Sequence, residues 1–152
     1  MVRIQEADFD VGVELAALRH ENPRVGAVAS FVGIVRDGSE DNGVSELTLE
    51  HYPGMTEKAL AAIVNEARER WAIIDALVIH RVGRLLPTDQ IVLVAVSSAH
   101  RGEAFAACEF IMDYLKTQAP FWKREATADG ARWVDARAAD DRAAERWRRP
   151  DR

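Results

Sequence analysis

The chain has 152 residues, 48% of them apolar and 30% charged, so it is long enough for one domain with a real core and polar enough for a wetted surface. A formal net charge of −5 excludes the broad basic surface that general nucleic-acid binding needs, and any cationic site must be a local cluster. Cys108 is the only cysteine, which excludes a disulfide framework and a thiolate zinc site. The N-terminal residues carry no long apolar run, so neither a secretory signal nor a membrane span is expected, and the expected location is cytoplasmic.

In chain order, Asp10 suits an N-cap for a short helix that puts Val11, Leu15 and Leu18 on one face, and Asn22-Pro23 ends it. Gly26 to Arg36 is rich in β-branched residues and predicts a strand, with Gly33 marking a bulge or close approach. The polar run Asp37 to Gly43 predicts a mobile loop. From Val44 to Tyr52, Leu47 and Leu49 alternate with Glu46, Thr48 and Glu50, the pattern of a strand with one wet face. Pro53-Gly54 turns the chain into a helix over Thr56 to Trp71, with Leu60, Ile63, Val64 and Ala67 in step.

The second half repeats this order. Ala76 to Arg81 predicts a strand and Gly83 to Asp89 a connection. Ile91 to Ser97 is unbroken and apolar, as expected of a central strand covered on both faces. Ser98 to Gly102 then leads into a helix ending near Thr117, because proline disfavours the α conformation in the residue before it, here Ala119 before Pro120. A short strand at Arg132 to Val134, a charged helix from Ala138 to Trp147 and a basic tail close the chain. Residues 143–152 are expected to be a charged, partly mobile end of the single domain 1–152. The order α-ββα-ββα, with a strand and a helix to follow, is not strict βαβ alternation, and the fold class is α+β. On the long second-half helix the polar stripe holds only Glu109, Asp113 and Lys116, which predicts a subunit contact.

Lys116 and Lys123 flank a proline-aromatic corner made by Pro120, Phe121 and Trp122. Two ammonium groups beside rigid aromatic walls suit an anionic ligand or a lysine that works partly desolvated. The alternative is a helix end with Lys116 in solvent and paired to Asp113. His100 and Arg101 stand where a central strand gives way to a helix, a place with free N–H groups for an anion, although a solvated loop pair would also account for them. Arg36 closes its own strand in a similar position, although pairing with Asp37 would also account for it. The four histidines, His20, His51, His80 and His100, show no metal-ligand spacing, and no metal is expected. Cys108 lies in the middle of an apolar helix face, where it serves as a small hydrophobe and not as a nucleophile.

Four segments together resemble the large, catalytic subunit of molybdopterin synthase: GAVASFVGIVRD (26–37), LEHYPGMTEKAL (49–60), SSAHRGEAF (97–105) and IMDYLKTQAPFWKRE (111–125). The resemblance implies an α/β hammerhead-type fold and a sulfurtransferase role in molybdenum-cofactor biosynthesis. Such an enzyme converts cyclic pyranopterin monophosphate to molybdopterin by adding two sulfurs. Each sulfur arrives as a thiocarboxylate on the C-terminal Gly-Gly tail of a small ubiquitin-like subunit. The implied assembly is a homodimer carrying two small subunits, with no resident cofactor, no nucleic acid and no membrane among its partners. By residue match, Lys116 and Lys123 resemble the family's catalytic lysines. Arg36, His100, Arg101, Arg124 and Glu125 resemble its substrate-binding positions, with His100 and Arg101 available to a neighbouring subunit's site. Two other classes would also use a cationic cluster: a non-enzymatic α+β module that holds an anionic metabolite, and a Schiff-base enzyme with one desolvated lysine.

Overall fold

A computed structural model describes residues 1–37, 46–127, 130–134 and 138–149. Its elements run β1 (Val2–Gln5), α1 (Val11–Arg19), β2 (Ala27–Ile34), β3 (Glu46–His51), α2 (Met55–Arg70), β4 (Ile73–Arg81) and β5 (Gly83–Leu85). They continue with β6 (Gln90–Ser98), α3 (Arg101–Gln118), β7 (Phe121–Thr127), β8 (Gly130–Val134) and α4 (Ala138–Glu145). The strands form two separate sheets, in the orders β1-β4-β6-β2 and β5-β3-β7-β8. The class is α+β, as expected. Most of the loop expected over Asp37 to Gly43 lies outside the described residues, as does the end of the tail.

Three strands depart from the sequence reading, and each has a physical reason. β1 is too short to show a period, yet it pairs in parallel with β4, Val2 opposite Val78 and Gln5 opposite Arg81. β5 lies in the segment read as a connection. Gly83 adopts φ +87° there, where the chain leaves the first sheet to join the second. The largest correction concerns the supposed corner at Phe121-Trp122. The chain straightens immediately after Pro120, and Phe121 opens β7, which pairs antiparallel with β3 so that Leu49 faces Lys123 and His51 faces Phe121. Gly33 does mark an irregularity: the β2–β6 register shifts between Gly33 and Ile34.

The apolar run of β6 is central as its composition requires. Val92 to Ser98 are all buried, with α2 and α3 on one face of the sheet and Phe9 with α1 on the other. Burial of the large aliphatic side chains along β4, β6, α2 and α3 is the main stabilising term, about 1.5–3 kcal/mol for each fully buried one. Gly26 fixes the junction that follows β6. A Cβ there would meet the Ala99 carbonyl oxygen at 2.1 Å, so only glycine lets β2 begin against residues 98–100.

The narrow polar stripe of α3 has an explanation within the chain. Its second flank is covered by α2 and by Trp147, the latter two residues past α4. Phe110 is fully buried and packs on Trp71 and Trp147, while the Arg70 guanidinium sits 4.6 Å from its ring centroid. Trp147 Nε1 donates to Asp113 at 2.6 Å, and Arg146 pairs with the same carboxylate at 2.9 Å. Asp113 is therefore engaged by residues 146 and 147 and not by Lys116.

Thr56, in the first turn of α2, ties that helix to the end of β3 and the start of β7. Its hydroxyl accepts from the Tyr52 amide at 2.9 Å and donates to the Pro120 carbonyl at 2.9 Å, with the side chain fully buried. Thr56→Val keeps the shape and leaves both backbone groups without their partner. A loss of about 2 kcal/mol is expected, read as a lower urea midpoint at unchanged slope.

Candidate functional site

The last turn of α3 and the first residues of β7 converge on the end of β4. β4 places Ala76, Val78 and His80 on the same side of the first sheet, since side chains alternate along a strand, and that side is the one covered by α2 and α3. His80 is 5% exposed. Its Nδ1 lies 2.8 Å from the Arg81 carbonyl oxygen, which can only accept, so the ring proton sits on Nδ1. The ring stacks on Phe121, with centroids 3.9 Å apart and planes at 18°.

Around this stack stand the charges. Lys116 arrives from α3 and Lys123 from β7, and both are near enough for their charges to act on His80, as is His51 of β3. Burial pushes the His80 imidazole down to about 4, and the two lysines reinforce the shift. His51 in turn lies 3.7 Å from the Glu57 carboxylate. Lys116 is exposed and Lys123 half-buried. Antiparallel partners share a face, so Lys123 and Glu125 lie on the same side of the second sheet as the buried Leu49 and Leu47. Arg124 pairs with Thr48 and falls on the opposite, exposed face.

The remaining expected residues divide between the two ends of the first sheet. β2 runs antiparallel to β6, with Ala27 opposite Ser98 and Ile34 opposite Gln90. Arg36, two residues past β2, therefore lies toward the end of the sheet where β6 begins and His80 sits. His100 and Arg101 cap the start of α3 at the other end, exposed, with the Ser98 hydroxyl donating to the His100 carbonyl. The rise of an α-helix puts Arg101 about 22 Å from Lys116 along α3. One chain thus gathers Arg36, Lys116, Lys123 and Glu125 toward one end, and leaves His100 and Arg101 at the other. Free N–H groups and the positive end of the α3 dipole do favour an anion at His100 and Arg101.

Sequence reasoning passed over His80 and Phe121 as partners. A signal existed: His80 shares the parity of Ala76 and Val78, so a titratable side chain occupies a core position. Cys108 is buried as expected. Its thiol points at the Val94 carbonyl, Sγ to O 3.7 Å, and burial pushes it up to about 12, so it is no nucleophile. Among the described residues no group of three or more His, Cys, Asp or Glu side chains could hold a metal ion, and no helix is long and apolar enough to cross a membrane.

Fold and site together define a two-sheet α+β protein with Lys116 and Lys123 near the meeting of its sheets and its one thiol buried. Comparison with known proteins narrows this class. The MoaE protein family model matches residues 4–118. A molybdopterin synthase catalytic subunit from Ralstonia nicotianae is 72% identical over 146 residues, covering 96% of this chain and 83% of its own. A solved MoaE protein from Burkholderia ambifaria is 61% identical with a TM-score of 0.83, covering 97% of each chain. A Helicobacter pylori structure described as a complex of subunits 1 and 2 of molybdopterin-converting factor has the same fold, with a TM-score of 0.71 at 23% identity over 90% of each chain. The chain belongs to the MoaE family of molybdopterin synthase catalytic subunits. It is accordingly an enzyme, a sulfurtransferase of molybdenum-cofactor biosynthesis, which sets aside the non-enzymatic binding module.

The buried neutral His80 makes stability depend on pH. Its folded value of about 4 lies below the ordinary 6.5, so the contribution is complete above 6.5 and is lost as pH falls from 6.5 through 4. The loss approaches about 3 kcal/mol. Denaturation at pH 7 and pH 4.5 should show this slope in the wild type and a shallower one in His80→Phe.

Proposed function

We propose that the end of the molecule bearing Lys116 and Lys123 is where sulfur passes from the thiocarboxylate of a small ubiquitin-like partner to cyclic pyranopterin monophosphate. The observation that supports this reading is the convergence of the two lysines, from α3 and from β7, beside His80 and Phe121. Both reactants are anions, and the cluster is a local cationic feature of a chain whose net charge is −5. The partner's C-terminal Gly-Gly tail is thin enough to reach between side chains. One lysine steadies the thiocarboxylate and the oxyanion that develops on its acyl carbon as sulfur departs, and the other moves a proton. The sulfur comes from the partner because Cys108 cannot supply it.

In this reading Arg36, His100 and Arg101 hold the substrate phosphate, with Arg124 and Glu125 bounding the site. A single chain keeps Arg101 about 22 Å from Lys116, so a complete site takes Arg36 and the lysines from one protomer and His100 and Arg101 from its partner in a homodimer. With one small subunit on each protomer the assembly is a heterotetramer, and its place is the cytoplasm.

Two sets of variants test the roles. Lys116→Ala and Lys123→Ala should each lower the single-turnover rate at saturating precursor by about 100-fold, the scale of losing one group that meets developing charge. Lys→Arg should not restore it, since a guanidinium keeps the charge and does not give up its proton. Arg36→Ala and Arg101→Ala should instead weaken precursor binding by about ten- to a hundredfold, the 1.5–3 kcal/mol of a charged hydrogen bond. Cys108→Ala should turn over at the wild-type rate in the folded protein. Full activity in Lys116→Ala would overturn the reading.

Mixing subunits tests the shared site. Equal amounts of the Arg101→Ala and Lys123→Ala chains, assayed at a precursor concentration low enough that each alone turns over only slowly, should regain about a quarter of wild-type activity, because half the dimers would hold one intact site. No recovery in a mixture shown to exchange subunits would place all these residues in one chain's site.

A further inference from the structure

His80 is the one buried histidine of the described residues, and the reaction as drawn does not use it. Three contacts hold its ring: the Arg81 carbonyl at Nδ1, the face of Phe121, and its place in the ladder between Ile4 of β1 and Val92 of β6. The charged groups near it come from several elements. Lys116 faces it from α3, Lys123 from β7 and His51 from β3, with Glu57 of α2 behind His51. On its own strand the Arg81 guanidinium is turned to the carbonyls of Glu6 and Gln90 and toward the Asp8 carboxylate.

The two lysines belong to different parts of the molecule. Lys116 rides on α3, which packs on the first sheet, and Lys123 is a residue of the second sheet. The sheets are separate ladders and only Ala119 and Pro120 link α3 to β7, so the backbone brings the lysines near one another while side-chain contacts between the sheets set where the ammonium groups stand. The His80–Phe121 stack does cross between the sheets, and Phe121 stands two residues before Lys123 on the same face of β7.

We propose that His80 is a positioning residue for sulfur transfer: its ring, fixed to the Arg81 carbonyl and stacked on Phe121, sets the spacing between the Lys116 and Lys123 ammonium groups. The inference rests on the lysine-pair reading given above. A ring that stays uncharged across the working pH range also adds no third cation to push the two lysines apart. A carboxylate or a lysine at this place would change the charge of the cluster, and a small residue would leave the start of β7 without a seat.

The test uses the full-length chain, its thiocarboxylated small partner and the cyclic pterin precursor in single turnover. His80→Asn keeps a donor for the Arg81 carbonyl and loses the ring, whereas His80→Phe keeps a stackable, uncharged ring. His80→Asn should slow transfer at saturating precursor by at least about tenfold, with KM within about threefold of wild type, as expected of misplaced groups rather than lost binding. His80→Phe should recover most of that loss.

A second readout does not depend on stability. Phe121→Leu uncovers the imidazole, so the acid limb of the rate should move up by about one pH unit toward the ordinary histidine value. Adding His80→Phe to Phe121→Leu should move the limb back. Nitrogen chemical shifts of His80 in the wild-type protein should keep the Nδ1–H pattern down to about pH 5.

Wild-type turnover in folded His80→Asn, an acid limb indifferent to the second substitution, or titration of wild-type His80 near 6.5 would each overturn the proposal. Lys123→Ala run alongside separates the two levels. Normal turnover there overturns the lysine-pair reading itself, and loss there beside normal His80→Asn overturns only the role of His80.

Discussion

The constraint on which the arrangement rests is the packing of the two sheets against each other at the end of β4. β-sheets hold their own strands rigidly through ladders, but two ladders without a shared strand are placed by the short connections and the side chains between them. In this protein the side chains include the His80–Phe121 stack and the cluster in which Val35 and Ile91 pack with Leu47, Leu49 and Leu85. Thr56 adds a bridge from α2 to Tyr52 and Pro120, at the ends of β3 and β7. The lysines follow from that seam, because α3 carries one of them and β7 the other. A lysine pair built on a single helix would have had its spacing set by the backbone alone.

The same arrangement reconciles an acidic protein with anionic reactants. A net charge of −5 gives no long-range attraction for a phosphate or a thiocarboxylate, so recognition must be local and must rely on groups brought close by folding. Aromatic and apolar neighbours reduce the screening of those groups. Burial also has a cost, seen in His80, whose charged form is disfavoured, and in Cys108, whose thiolate is all but excluded. The one sulfur in the chain that could in principle react is held in the core of α3, and the donor sulfur has to be delivered by another molecule.

The crowded surface of α3 is covered in part within the chain, while Phe105 on the same helix stays exposed. Its narrow polar stripe predicted a subunit contact, yet Phe110 and Tyr114 are covered by α2 and by Trp147 of the same chain. Asp113, expected as a partner of Lys116, is taken by Arg146 and Trp147. The proposal of a shared site therefore draws on the separation of Arg101 from Lys116 along α3.

Much of this protein was legible from sequence alone. Periodicity located α1, α2, α3 and the one-faced strand β3, an unbroken apolar run located the central strand β6, and charged composition located α4, each a local signal. The lysines, the strand-end arginines and the inert cysteine were visible for the same local reasons, and four motifs together pointed to the family. What local pattern could not carry was pairing between distant segments. β1 has four residues and β5 three, too few to show a period, and they are strands only because β4 and β3 offer them a ladder. β7 read as a corner because proline and aromatics dominate its start, while its partner β3 lies some seventy residues earlier in the chain. The nearness of Lys116 to Lys123, seven residues apart, was already legible, whereas the neutral, stacked His80 and the division of the cationic residues between two ends of a sheet were decided by tertiary structure. Both of these depend on contacts between elements far apart in the chain, and those distances are set only when the sheets pack.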